Sequence, residues 1–147
     1  MKALLKKIFQ NKKISSDKDL KFLDLKNNRG VNKIFGAINN YNETSEIRYV
    51  GGCVRKILND EKTDDIDLAT NLTPDQVRQC LNKKQIKFFE TGIEHGTITA
   101  VIDDQNFEIT TLRKDVKTDG RHAVVEYTTN WKEDSLRRDF SINSISV

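Results

Sequence analysis

The chain has 147 residues, 36% of them apolar and 32% charged, with a formal net charge of +3. That length supports one domain with a modest core, and no apolar run approaches the roughly 18–20 residues needed to span a bilayer. The mild charge permits a polyanionic partner without demanding one; two cysteines without metal-ligand spacing exclude a disulfide framework and fit the reducing cytoplasm.

In chain order, MKALLKKIFQNKK places Leu4, Leu5, Ile8 and Phe9 at helical spacing with lysines opposite. It lacks the continuous apolar segment of a secretory signal. An organelle presequence or a basic arm on nucleic acid would share the pattern, and a surface helix is the preferred reading. Residues 15–29 hold Leu20, Phe22 and Leu23 among charges, which predicts a short helix or ordered loop. Residues 1–30 are therefore read as a helical, basic extension ahead of a domain over 31–147.

Val31, Ile34, Phe35 and Ile38 follow the i, i+3, i+4, i+7 rule and predict a helix. An apolar strand over 47–50 runs into Gly51-Gly52 and a helix over about 53–58. A polar loop over 59–64 leads to a strand carrying Asp65-Ile66-Asp67-Leu68. Thr73-Pro74 reads as an N-cap followed by proline at the first helical position, with Val77 and Leu81 as the buried stripe. A short strand over 87–89 follows. Residues 97–102 and 107–112 alternate at period two about a turn at 103–106, a hairpin. Residues 113–122 read as a mobile loop and 124–127 as one more strand. Beyond Trp131, Glu133-Asp134-Ser135 leads into a helical turn over 136–140. Strands and helices intermixed, with an antiparallel hairpin, give an α/β (α+β) fold with a mixed sheet and flanking helices.

Three features carry chemistry. In a strand, i and i+2 share a face, so Asp65 and Asp67 present two carboxylates while Ile66 and Leu68 face the core. Paired carboxylates repel unless a cation lies between them, and a hard divalent ion such as Mg²⁺ suits oxygen ligands. Gly51 and Gly52 at a strand-to-helix turn let backbone approach an anion at a helix N-terminus. Glu108, mid-strand in an apolar and Thr-rich hairpin, becomes a third acid if its strand neighbours that of the aspartates, the arrangement of two-metal phosphoryl chemistry. Arg137-Arg138-Asp139 supplies the opposite charge, and arginine offers a rigid fork to phosphate oxygens. Each feature also has an ordinary reading: a turn, a solvated edge, an exposed strand residue, a charged helix start.

The strings YVGGCVRKILN, DDIDLATNLTP, TGIEHGTITAV, FEITTLRKDV, DGRHAVVEYTTNW and DSLRRDFSINSI, in that order over about residues 47–147, resemble the head domain of class II tRNA nucleotidyltransferases. These are the CCA-adding enzymes and their bacterial poly(A) polymerase relatives, in the polymerase-β-like nucleotidyltransferase superfamily. TGIEHGT and EITTLR lean toward the CCA-adding branch. The resemblance implies that fold, and transfer of CMP or AMP from CTP or ATP to the 3′-hydroxyl of a tRNA. It implies Mg²⁺ as cofactor, tRNA 3′ ends as RNA partner, no membrane and a cytoplasmic location. Carried over by position, Gly51, Gly52 and Arg55 match nucleotide contacts. Asp65 and Asp67 match the metal-binding catalytic pair, and Glu108 the third catalytic acid. Arg121 falls in the DGR of a flexible loop. Arg138, Asp139 and Asn143 lie in the block linked to triphosphate and ribose selection.

Two departures accompany the match. Lys56 stands where the family usually has Asp beside Arg55. The neck helix that reads the base, and the body and tail that grip tRNA, would lie past Val147, so a separate neck-body-tail polypeptide is an expected partner. Phe140, Ile142 and Ile145 would then present an uncovered apolar strip. The alternatives are a remnant that binds nucleotide without turnover, a poly(A) polymerase-type RNA adenylyltransferase, and a binding module reusing the fold.

Overall fold

Val31, Ile34 and Ile38 recur at helical spacing, and the helix they predict runs Arg29–Asn39 (α1), capped by the Asn28 side chain accepting from the Val31 amide. The structure, a computed structural model, describes residues 27–59, 61, 66–119 and 122–137, with backbone alone at 115, 117–119 and 122–125. The expected helix over 1–13 lies outside the described residues, as do Asp65, Arg121, Arg138, Asp139, Asn143 and the strip at Phe140, Ile142 and Ile145.

After α1 come β1 (Ile47–Tyr49), α2 (Gly51–Leu58), β2 (Ile66–Thr70), α3 (Pro74–Lys83), β3 (Lys87–Gly92), a 3-10 turn (Ile93–His95), β4 (Thr97–Ile102), β5 (Gln105–Thr111), β6 (Arg113–Asp119), β7 (His122–Tyr127) and α4 (Trp131–Leu136). Five strands form one sheet in the order β1-β2-β5-β4-β3, in which β2 and β5 run parallel and the other pairs antiparallel. This is the expected mixed sheet. Alternation divides its faces: Ile66, Leu68, Ile98, Ala100, Phe107 and Ile109 join one core cluster with Ile34 and Ile38 of α1, Val54 and Ile57 of α2, and Val77 and Leu81 of α3. The opposite face carries Asp67, Thr97, Glu108 and Thr110, which line a pocket.

Local chemistry sets the element ends. Thr73 and Gln76 form the full capping box, each bonding the other's backbone, with Pro74 in the first turn. The β4–β5 hairpin closes on two residues, Asp103 and Asp104, both at positive φ (51° and 60°). That corrects the four-residue turn expected from sequence. Aspartate tolerates the left-handed region, so the tight primed turn forms and Gln105 and Asn106 join the ladder opposite Ile102 and Val101.

Two further expectations are corrected. Residues 113–119 are a strand paired antiparallel with 122–127, with a register shift between Asp115 and Lys117, and not a mobile loop. A two-stranded ribbon apart from the main sheet need not alternate apolar with polar, so the pattern that betrays a strand is missing. The last helix begins at Trp131, five residues before the turn expected at 136–140, because the Asn130 side chain accepts from the amides of Lys132 and Glu133.

Gly30 opens α1 against the sheet: a Cβ there would come within 2.6 Å of the Phe107 ring. Phe107 is fully buried and cannot give way. Gly30→Ala is therefore expected to destabilise the protein by about 1–3 kcal/mol, the usual cost of overpacking. Urea unfolding measures it, and unchanged stability would show that α1 can lift off β5 at no cost.

Candidate functional site

The pocket is built at the join of two adjacent parallel strands. Asp67 of β2 and Glu108 of β5 are direct register partners, and neighbouring strands lie about 4.8 Å apart, so the two carboxylates emerge side by side on one face. Their neighbours Ile66, Leu68, Phe107 and Ile109 are at most 1% exposed on the other. The structure thus puts Glu108 beside Asp67, on the face where the catalytic expectation needs it.

Gly51 and Gly52 stand at the same pocket, with Arg55 one turn along α2. The glycines form the first turn of α2, which starts two residues earlier than expected from sequence. Gly51 has φ +67°, a conformation that favours glycine. A Cβ at Gly52 would meet open space, so packing does not require glycine there; what it leaves is bare backbone at the pocket. No side chain caps this helix, and its first amides have no partner within the helix. Cys53, in the next position, donates its thiol to the carbonyls of Val50 (3.2 Å) and Asp67 (3.4 Å), pinning the start of α2 to the strand that carries the acid. Burial pushes the Cys53 thiol up, so it remains a neutral donor and no nucleophile.

The remaining charge comes from Arg137, which the sequence singled out with Arg138 and Asp139, and from Arg113, which sequence reasoning passed over. Arg113, at the start of β6, and Arg137, just past α4, complete the lining of a cleft of about 440 Å³. Arg113 donates from Nη1 to the His95 carbonyl at 3.1 Å. Arg137 is held by Asp134, which is 3% exposed: Nε and Nη2 lie 3.2 and 3.0 Å from Asp134 Oδ1, and the Arg113 amide donates to the same oxygen at 3.1 Å. An acid three residues before an arginine on a helix was the available signal; that the acid is buried was not. Thr97 and Thr110, also in the lining, share a hydroxyl hydrogen bond of 2.9 Å. Lys56 is not among the lining residues.

Two carboxylates at one side of a cleft, three guanidinium groups and an uncapped helix start around it make a site for a polyanion. The donors are hard oxygens on adjacent strands open to solvent, and they suit a hard divalent cation. Among the described residues no set of three potential metal ligands occurs.

Comparison with known proteins agrees with this geometry. The family model described as the poly A polymerase head domain matches residues 47–147. The CCA tRNA nucleotidyltransferase 1, mitochondrial, of Homo sapiens is 52% identical over 104 residues, covering 70% of this chain and 24% of that protein. The CCA-adding enzyme of Lactobacillus delbrueckii subsp. bulgaricus is 36% identical over 104 residues, covering 69% and 25%. Among solved structures, the Bacillus stearothermophilus CCA-adding enzyme in complex with CTP matches with a TM-score of 0.63 and 28% identity, over 81% of this chain and 28% of that one. The chain spans about a quarter of the length of the curated relatives it matches. No helix among the described residues is long and apolar enough to cross a membrane.

Proposed function

The chain belongs to the poly(A) polymerase head-domain family, and from that premise we propose that it is the catalytic head of a tRNA nucleotidyltransferase, adding CMP and AMP from CTP and ATP to a tRNA 3′ end. The observation that carries this reading is the register pair Asp67–Glu108 on a cleft shared with Gly51, Gly52 and three arginines. A CTP complex of a similar fold supports the nucleotide, and the names of the relatives support CCA addition over adenylate addition alone.

In this reading the triphosphate lies along α2, with the free amides of its first turn and Arg55, Arg113 and Arg137 around the phosphates. Their fixed charges neutralise the pyrophosphate as it leaves, which needs positioning and no covalent intermediate. Asp67, with Asp65, would hold magnesium, which supplies Lewis-acid polarisation of the phosphate oxygens when bound. The Glu108 carboxylate accepts a hydrogen bond from the attacking 3′-hydroxyl and so aims its oxygen at the α-phosphorus. Arg121, Arg138, Asp139 and Asn143 keep the ribose and triphosphate roles that the family resemblance gives them.

Residues 31–147 are proposed as the head, to which Arg29 and Gly30 belong as the first turn of α1. Base reading and the grip on tRNA are assigned to a neck-body-tail segment, on a separate polypeptide or in continuation of this one. Two buried free thiols suit a cytoplasmic enzyme. The mitochondrial label in the human relative's name favours a mitochondrial location instead, and a fluorescent fusion distinguishes the two.

The test is incorporation of labelled CTP and ATP into tRNA lacking its CCA end, with magnesium, with and without a neck-body-tail polypeptide added in trans. Addition of both nucleotides is expected. Binding of Mg-CTP without addition under every condition would identify a remnant, and ATP-only extension of any RNA a poly(A)-type enzyme. Neither binding nor addition would overturn the reading.

A further inference from the structure

The geometry points to a task for the edge of the sheet: Glu46, Arg48 and Trp131, none of which lines the pocket, form a clamp that holds α4 so that Arg137 stands beside Asp67 and Glu108. The inference deepens the nucleotidyltransferase reading and rests on it for the identity of the ligand.

The helix itself cannot fix Arg137. At six residues α4 is far too short to persist unaided, so tertiary anchors set its place. One is Asp134 near its C-terminus, bonded to the Arg113 amide. The other is Trp131 at its first position, 85 residues from its partner in sequence: indole Nε1–H donates to Glu46 Oε2 at 2.9 Å. The same carboxylate oxygen receives Arg48 Nη2 at 3.0 Å, and Arg48 Cζ lies 4.1 Å from the centroid of the Trp131 ring. The indole also packs on the small cluster of Val50, Ala69 and Leu112. One side chain therefore packs on a cluster formed by the residue before Gly51, the strand that carries Asp67 and the junction that leads to Arg113.

An exposed Glu–Arg pair alone contributes little. Here the carboxylate is shared between an indole and a guanidinium that stack on one another, so the hydrogen bond, the ion pair and the cation–π contact stand or fall together. That coupling makes the trio a positioning device, and it acts through Arg137.

Two measurements decide it. Hydrogen exchange in the nucleotide-free protein should show the amides of residues 132–137 exchanging about tenfold faster in Trp131→Phe, which keeps most of the packing and loses the indole N–H, and in Arg48→Met. Exchange equal to the parent's in both variants would overturn the clamp, whatever the protein's activity. Equilibrium dialysis of CTP with magnesium should then show an affinity about fivefold weaker in each variant, with that loss vanishing when Arg137→Gln, which removes the charge but keeps a donor for buried Asp134, is already present. A loss of the same size in the Arg137→Gln background would show that the trio does not act through Arg137 and would overturn the proposal. If the parent binds no CTP, the nucleotidyltransferase reading falls, while exchange still decides whether the trio holds α4.

Discussion

Asp67→Asn is expected to lower nucleotide addition at least about 100-fold, the scale of removing one group that stabilises developing charge in a preorganised site, while leaving the fold intact. The residue is partly buried at the face opposite the main core, and its register partner is another carboxylate. Two like charges on adjacent strands repel, so neutralising one should move the unfolding midpoint far less than it moves activity. A site in which activity falls while stability is largely kept is a functional one. Initial rates of CTP incorporation and thermal unfolding of the same samples measure both. Activity within about tenfold of the parent would remove Asp67 from the catalytic machinery, and with it the proposed role of the acid pair.

Asp134→Ala should have the opposite profile, a large loss of stability. Its Oδ1 accepts from the Arg113 amide and from Nε and Nη2 of Arg137, and the side chains of Arg137 and Asp134 are only 13% and 5% exposed. Removing one partner of such a buried pair strands the other and costs about 3–5 kcal/mol, roughly 10 °C in Tm for a domain of this size. Asp134→Asn retains an oxygen for the backbone amide and should lose less. The double change Asp134→Leu with Arg137→Met replaces both charges by apolar groups and should recover much of the stability, but not nucleotide affinity, because Arg137 is gone from the cleft. Urea unfolding and CTP binding on the three variants separate the two roles. A single Asp134→Ala variant within about 0.5 kcal/mol of the parent would mean that the acid is not the anchor described.

Both results depend on where individual side chains lie, and the sequence carried that information unevenly. Helix α1, the N-cap at Thr73 and the two faces of β5 were legible because burial imposes a period on apolar residues and because capping chemistry is local. Strand β6 was not, since RKDVKTD is almost wholly polar, whereas its partner β7 was read as a strand over 124–127. The start of α4 at Trp131 was not either: its Asn130 cap is local, but the Glu46 and Arg48 side chains that Trp131 meets lie more than eighty residues earlier in the chain.

The candidate site divides along the same line. Asp67, Glu108, Gly51, Gly52 and Arg55 could be named from spacing and family resemblance, since each sits in a strand or a strand-to-helix turn and helix whose type the local sequence dictates. By itself the sequence determined that Asp67 faces away from the core, because alternation in a strand admits only two faces and Ile66 and Leu68 claim one of them. Only the tertiary structure decided that β2 lies parallel beside β5, with Glu108 in register and Arg113 and Arg137 at the same cleft. Strand order and the docking of a six-residue helix depend on contacts among residues forty to eighty-five positions apart, and no period within a single segment encodes such pairings.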